Sequence, residues 1–232
     1  MNDYTDMFYK VYQLPLSTVL QTFPEIKQHW FRVQQLWKTR RTDSYFIRKF
    51  QENAKDKVAQ ELFAEASRLP DIEKYTALER DGLQKYYPET PYLEARFIDK
   101  SWILNRGKIA HHHLPKTENF QVQGVFWYLQ GGYREWHSNY DYANDQSSNE
   151  FRMYLIDVDE DANGFFYYLD KNGDLQYIED KSEVVNIFLF PAKKKFWHSV
   201  VSHTNRLSMG LRPHPDQFAK IAQMVQDHQG QL

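Results

Sequence analysis

Between residues 120 and 212 the chain breaks into short apolar runs, each closed by a turn signal, and that texture restricts the fold more than any other feature. The runs are 120–129 (FQVQGVFWYL), 151–158 (FRMYLIDV), 164–169 (GFFYYL), 175–179 (LQYIE), 184–190 (VVNIFLF) and a last strand at 206–212. They are rich in aromatic and branched residues, which suit a pleated, half-buried surface. Turn signals stand between them: Gly131-Gly132, Asp161-Ala162-Asn163-Gly164 and Lys171-Asn172-Gly173-Asp174. The Asn-Gly pair between 164–169 and 175–179 is a strong hairpin signal. Many short antiparallel strands at this spacing predict a barrel or jelly roll.

Upstream the apolar period lengthens. Ile26, Trp30, Val33 and Trp37 recur at spacings of four, three and four, one stripe of an amphipathic helix. Phe46, Phe50, Ala54, Val58 and Leu62 form a second stripe, with Asp43 or Ser44 as its N-cap. Pro70 ends that stretch, and a shorter helix is expected from Asp71 towards Tyr86. The expected fold class is α+β in a single domain over 1–232. A mainly helical layer (1–92) packs on a jelly-roll or cupin-like β-core (93–213), followed by a C-terminal helix (214–232).

Aromatic residues make up 16% of the 232, so a sizeable core is feasible. A net charge of −2 argues against strong attraction to nucleic acid or an anionic membrane. Without cysteine, disulfides, thiolate metal ligands and a cysteine nucleophile are excluded. The start, MNDYTDMFYK, lacks a basic segment followed by an apolar run. The purest apolar stretch, Val184 to Phe190, is seven residues and is broken by Asn186. A bilayer span needs about 20. A soluble, cytoplasmic protein is expected, with no membrane partner; the sequence sets no oligomeric state.

Three residues carry the chemistry: His137 in REWHSNYD, His198 in KKFWHSVV and Arg206 in TNRLSMGLR. Two imidazoles brought together from separate strands can hold a divalent metal, as in the two-His-one-carboxylate facial triad that leaves positions open on Fe(II). An arginine can then clamp a carboxylate beside it, because a guanidinium donates in a bidentate fork. Arg206 and Arg212 lie six apart and share a strand face. Arg206 is the better candidate, since Ser208 lies two further along that face. Tyr154 shares a face with Arg152 in the same way.

The order is specific: a histidine, tens of residues, a strand ending in Phe196-Trp197-His198, a short loop, then R-x-S on the next strand. In that order the stretch of roughly 120–212 resembles the double-stranded β-helix of the 2-oxoglutarate and Fe(II)-dependent dioxygenases. His137-Ser138-Asn139 stands where the family has H-x-D/E, His198 at the distal histidine, and Arg206-Leu207-Ser208 at R-x-S. Gly164 looks like the glycine that opens a core strand, and Tyr154 like a tyrosine that reaches the co-substrate. The resemblance implies Fe(II), 2-oxoglutarate as co-substrate, and hydroxylation of a small-molecule or peptide substrate. His137 and His198 would be catalytic, and Arg206, Ser208 and Tyr154 would bind the co-substrate. Metal ligands would come from His137, Asn139, Asp141 and His198.

The departure is Asn139, which offers a neutral oxygen where the family has an anion. Three readings stand open. Asn139 ligates through its carbonyl while 2-oxoglutarate supplies anionic oxygens; Asp141 supplies the carboxylate; or the site is degenerate and the core binds a small carboxylate or a protein partner. A cupin-like isomerase would need no keto acid. The spacing of Arg206, Ser208, Gly210 and Arg212 is similar to that of AlkB-like nucleic-acid demethylases, without the asparagine and threonine of that motif. His111-His112-His113 reads as an exposed loop and Lys193-Lys194-Lys195 as a solvated strand end. Arg40-Arg41 reads as charge at a helix C-terminus, and Asp157–Asp161 as a run lacking the features of a calcium loop.

Overall fold

The computed structural model describes residues 4–40, 48, 57–80, 92–94, 119–140, 142, 145–146 and 148–230. Its helices are α1 (Leu16–Thr22), α2 (Glu25–Arg40), α3 (Lys57–Ala66), α4 (Ile72–Arg80) and α5 (Phe218–Gln229). Its strands are β1 (Val11–Pro15), β2 (Tyr92–Glu94), β3 (Phe120–Tyr128), β4 (Gly132–His137), β5 (Glu150–Val158), β6 (Gly164–Leu169), β7 (Leu175–Glu179), β8 (Val184–Phe190), β9 (His198–Ser202) and β10 (Arg206–Pro213). They form two antiparallel sheets, ordered β1-β8-β5-β10-β3-β2 and β4-β9-β6-β7. Two antiparallel sheets with flanking helices make the fold α+β.

Strand alternation explains the layers. Along β10, Leu207, Met209 and Leu211 turn to one face, where they pack with Ile26, Trp30, Val33 and Trp37 of α2 and with Ile221 and Val225 of α5. Residues of opposite parity turn inward. There Tyr128, Phe188 and Phe190 meet Phe166 and Val200 of the smaller sheet, with Phe196 between them. The outer face of the smaller sheet is covered by α3, through Leu62 and Ala66 on Tyr133 and Val201, and by α4, through Tyr75 and Leu78 on Trp136 and Trp197. Asp71 caps α4 by accepting the Lys74 N–H at 3.0 Å.

The predicted strands agree with those observed to within a residue, as does the hairpin β6–β7, whose Gly173 has φ +83°. The first 92 residues, expected to be mainly helical, also supply a strand, Val11–Pro15, which pairs with β8 at the edge of the larger sheet. One expectation needs correction, the place of His198 in its strand. His198 opens its strand instead of ending one. The acidic run 157–161 is spent on turn and packing bonds: Gln34 donates to Asp157 (2.9 Å), Asn205 to Asp159 (2.8 Å), and the Ser182 N–H to Asp161 (2.8 Å). Asp43, Ser44, most of the second predicted stripe, Asp141 and His111–His113 lie outside the described residues. Among the described residues, no helix is long and apolar enough to cross a membrane.

Candidate metal and carboxylate site

His137 is the last residue of β4 and His198 the first of β9, and the two are cross-strand partners. Simple alternation would not bring them to the same side as Arg134. Arg134 pairs with Val200 and His137 with His198, so β4 spends three steps where β9 spends two. That extra residue is a β-bulge, which re-aims the side chains beyond it. Trp136 consequently turns outward to Tyr75 and Trp197, with its indole N–H on the Glu65 carbonyl (3.1 Å), while His137 turns inward.

The imidazole centroids lie 4.2 Å apart with planes at 52°. Nδ1 of His137 is 2.7 Å from the Glu135 carbonyl, and Nδ1 of His198 is 2.9 Å from the Phe196 carbonyl. A carbonyl only accepts, so each Nδ1 carries the proton and each Nε2 keeps its lone pair, the tautomer a metal ligand needs. Burial holds both rings neutral. It drives His137 well below its ordinary range, helped by the neighbouring His198 and Arg134. It also takes His198 down to about 3; the bond to Phe196 opposes this, and Arg134 and Arg152 add to it. Phe166 stacks on His198 at 5.3 Å and 17°.

Asn139 adopts a left-handed backbone, φ +53°, which asparagine tolerates better than most residues. Its amide nitrogen is 3.2 Å from His198 Nε2. As oriented it donates to that lone pair; a half-turn of the amide places the carbonyl oxygen there instead. Asn139 therefore shares the space in front of His198.

Arg206, the first residue of β10, is 1% exposed, and its guanidinium lies over the Tyr128 ring at 5.1 Å. Its Nε donates to Asp180 Oδ2 at 2.6 Å. The other Asp180 oxygen accepts from Asn186 (3.0 Å), which in turn accepts from Gln13 of β1 (3.2 Å). Asp180 thus fixes the Nε edge of Arg206 and directs its terminal N–H groups elsewhere. Gly164 makes room for the pair: a Cβ there would sit 3.1 Å from Asp180 Oδ2. Arg212 shares the strand face, but pairs with Glu150 (2.6 Å) at the exposed end. Ser208 and Tyr154 line the same cavity as His137, Asn139, His198 and Arg206; it measures about 50 Å³ and also takes in Arg134. Tyr154 stacks on Phe188 (5.6 Å, 7°) and occupies the space over Gly210, where a Cβ would come within 2.9 Å of its ring.

Among the described residues, no three imidazole or carboxylate side chains are placed to hold a metal ion between them. The donors that do converge are two neutral Nε2 atoms and one amide, with Arg134 and Arg206 on the same cavity. Such a set suits a divalent cation only together with an anionic ligand.

Sequence reasoning missed Glu79, Arg134, Asp180 and Asn186 as members of the site's surroundings. Asn186 did leave a signal, since a polar residue interrupting a buried apolar strand needs an internal partner. Lys195, read as a solvated strand end, instead packs against Tyr142 and Trp197 (4.8 and 5.1 Å to the ring centroids) and hydrogen-bonds the Tyr142 hydroxyl.

No protein-family model matches the chain, and no curated protein matches it. Solved structures resemble it at low identity. One is an oxidoreductase of the 2OG-Fe(II) oxygenase family from Burkholderia pseudomallei (13% identity, 42% of this chain, 46% of that one, TM-score 0.32). Another is a prolyl-4-hydroxylase from Pseudomonas putida (14%, 61% and 63%, TM-score 0.33). A third is EvdO2 from Micromonospora carbonacea var. aurantiaca in complex with 2-oxoglutarate (12%, 68% and 90%, TM-score 0.34). Cupin folds also resemble it. The chain covers less than two-thirds of the first two. Likenesses this distant carry no argument about chemistry, which rests on the side chains.

Proposed function

We propose that this chain is a 2-oxoglutarate- and Fe(II)-dependent oxygenase of the hydroxylase type, built on a double-stranded β-helix and acting on a small-molecule or peptide substrate. One observation carries the reading: two neutral imidazoles with unprotonated Nε2 atoms and a buried, carboxylate-fixed arginine line one cavity. The passage of the chain between sheets supports it, since β3, β5, β8 and β10 belong to one and β4, β6, β7 and β9 to the other.

His137 and His198 would hold Fe(II), with Asn139 as a neutral third donor and the keto acid as the source of negative charge. Bound together, Fe(II) and 2-oxoglutarate supply the activation of dioxygen. The protein's own part is placement. The terminal N–H groups of Arg206 receive the far carboxylate, Ser208 and Tyr154 border it, and Phe166 and Val200 keep the site dry.

Because no anionic side chain among the described residues joins the two histidines, metal and keto acid should bind together or hardly at all. Anaerobic titration of Fe(II) is expected to show at least about tenfold tighter uptake with 2-oxoglutarate than without it. A weak visible charge-transfer band should appear only when both are present, and His198→Ala should abolish it. A second reading, a jelly-roll protein that binds a carboxylate without oxidising anything, is favoured by the neutral side chain at Asn139. Uptake of 2-oxoglutarate that is indifferent to metal, with no band, would establish that reading in place of the first.

A further inference from the structure

Glu79 stands in the last turn of α4, where the helix dipole disfavours a carboxylate. Its side chain is only 8% exposed. A desolvated anion placed against a dipole must be held by partners, and the two segments that carry the histidines supply Glu79 with four hydrogen bonds and one ion pair. From the segment after His137 come the Ser138 N–H, the Ser138 hydroxyl (2.6 Å), the Asn139 N–H (3.2 Å) and the Tyr142 hydroxyl (3.3 Å). From the segment before His198 comes the Lys195 ammonium, an ion-pair partner at 3.9 Å. Two successive backbone N–H groups converge on one Glu79 oxygen, the arrangement of an anion-binding nest.

Tyr75 and Leu78 give α4 a second, apolar attachment, packing on Trp136 and Trp197. We propose that Glu79 is a positioning residue: it pins the turn after His137 so that left-handed Asn139 faces His198 Nε2, and ties that turn to the strand bearing His198. The inference rests on the metal reading above.

Replacing Glu79 by glutamine keeps the volume and can keep one oxygen on the two N–H groups, but turns an NH2 group on the Ser138 and Tyr142 hydroxyls and removes the charge opposite Lys195. The test is Co(II) titration of the full chain with 2-oxoglutarate present, followed by visible absorption. E79Q should bind Co(II) roughly tenfold more weakly and with an altered band shape, without a matching fall in thermal unfolding temperature. Affinity and spectrum equal to those of the unmodified chain would overturn the positioning role alone. Failure of the unmodified chain to take up Co(II) would overturn the metal reading and this inference together. Should E79Q not fold, hydrogen exchange on the unmodified chain decides: the Asn139 amide should be protected although the residue is exposed, and fast exchange there refutes the claim.

Discussion

Asp180 shows how one buried side chain can set the properties of another. Its carboxylate is fully buried and neutralises Arg206, so removing its charge leaves a guanidinium uncompensated in a dry interior. Breaking such a pair from one side typically costs about 3–5 kcal/mol. Asp180→Asn is therefore expected to lower the urea midpoint strongly and to weaken 2-oxoglutarate binding by losing the orientation of Arg206. An unchanged midpoint in urea would show that the pair is not the anchor its burial implies. Arg206 and Ser208 were legible as a motif, whereas Asp180 was not. Nothing in LQYIEDK marks one of its two neighbouring acids as buried, because burial follows from the β7–β8 turn and not from local pattern.

Among the elements, β4 matters most to the chemistry and was the least visible in the sequence. Its bulge breaks the alternation between Arg134 and His137, so an alternating reading puts Arg134 and His137 on opposite faces while the folded strand puts both on the cavity. Deleting Glu135 should remove the bulge and leave two steps between Arg134 and His137, as between Val200 and His198, so that His137 stays on the cavity and Co(II) uptake is retained. Loss of uptake in that deletion, with the far-UV circular dichroism sheet signal intact, would mean that the bulge itself aims the ring. The strands β5 to β8 were legible because their aromatic and branched runs are bounded by Gly and Asn turns. β1 was not: VYQLP is short, carries two polar-tipped side chains and ends in proline. It becomes a strand because β8 offers it an edge, which is a tertiary cause.

For the whole molecule, the buried imidazoles predict how stability varies with pH in the absence of metal. Both rings have an ordinary value of 6.5, and in the fold His198 falls to about 3 while His137 is also strongly depressed. Below pH 6.5 the unfolded chain takes up protons that the folded one refuses, so stability declines as pH falls through this window. Above 6.5 the two rings contribute no slope. The expected loss is roughly 1 kcal/mol per pH unit for each ring. Urea midpoints measured across the window should fall on acidification, and the slope should flatten when both histidines are replaced by glutamine. An equally steep slope in that double variant would assign the acid sensitivity to other groups.

The place of β1 at the sheet's rim has one more implication. Gln13 reaches from it to Asn186, and through Asn186 and Asp180 the line of bonds ends on Arg206. A protease cut between β1 and α1 would therefore do more than bare the flank of β8 to strands of other copies. It would loosen, from the far side of the sheet, the grip on any acid bound inside.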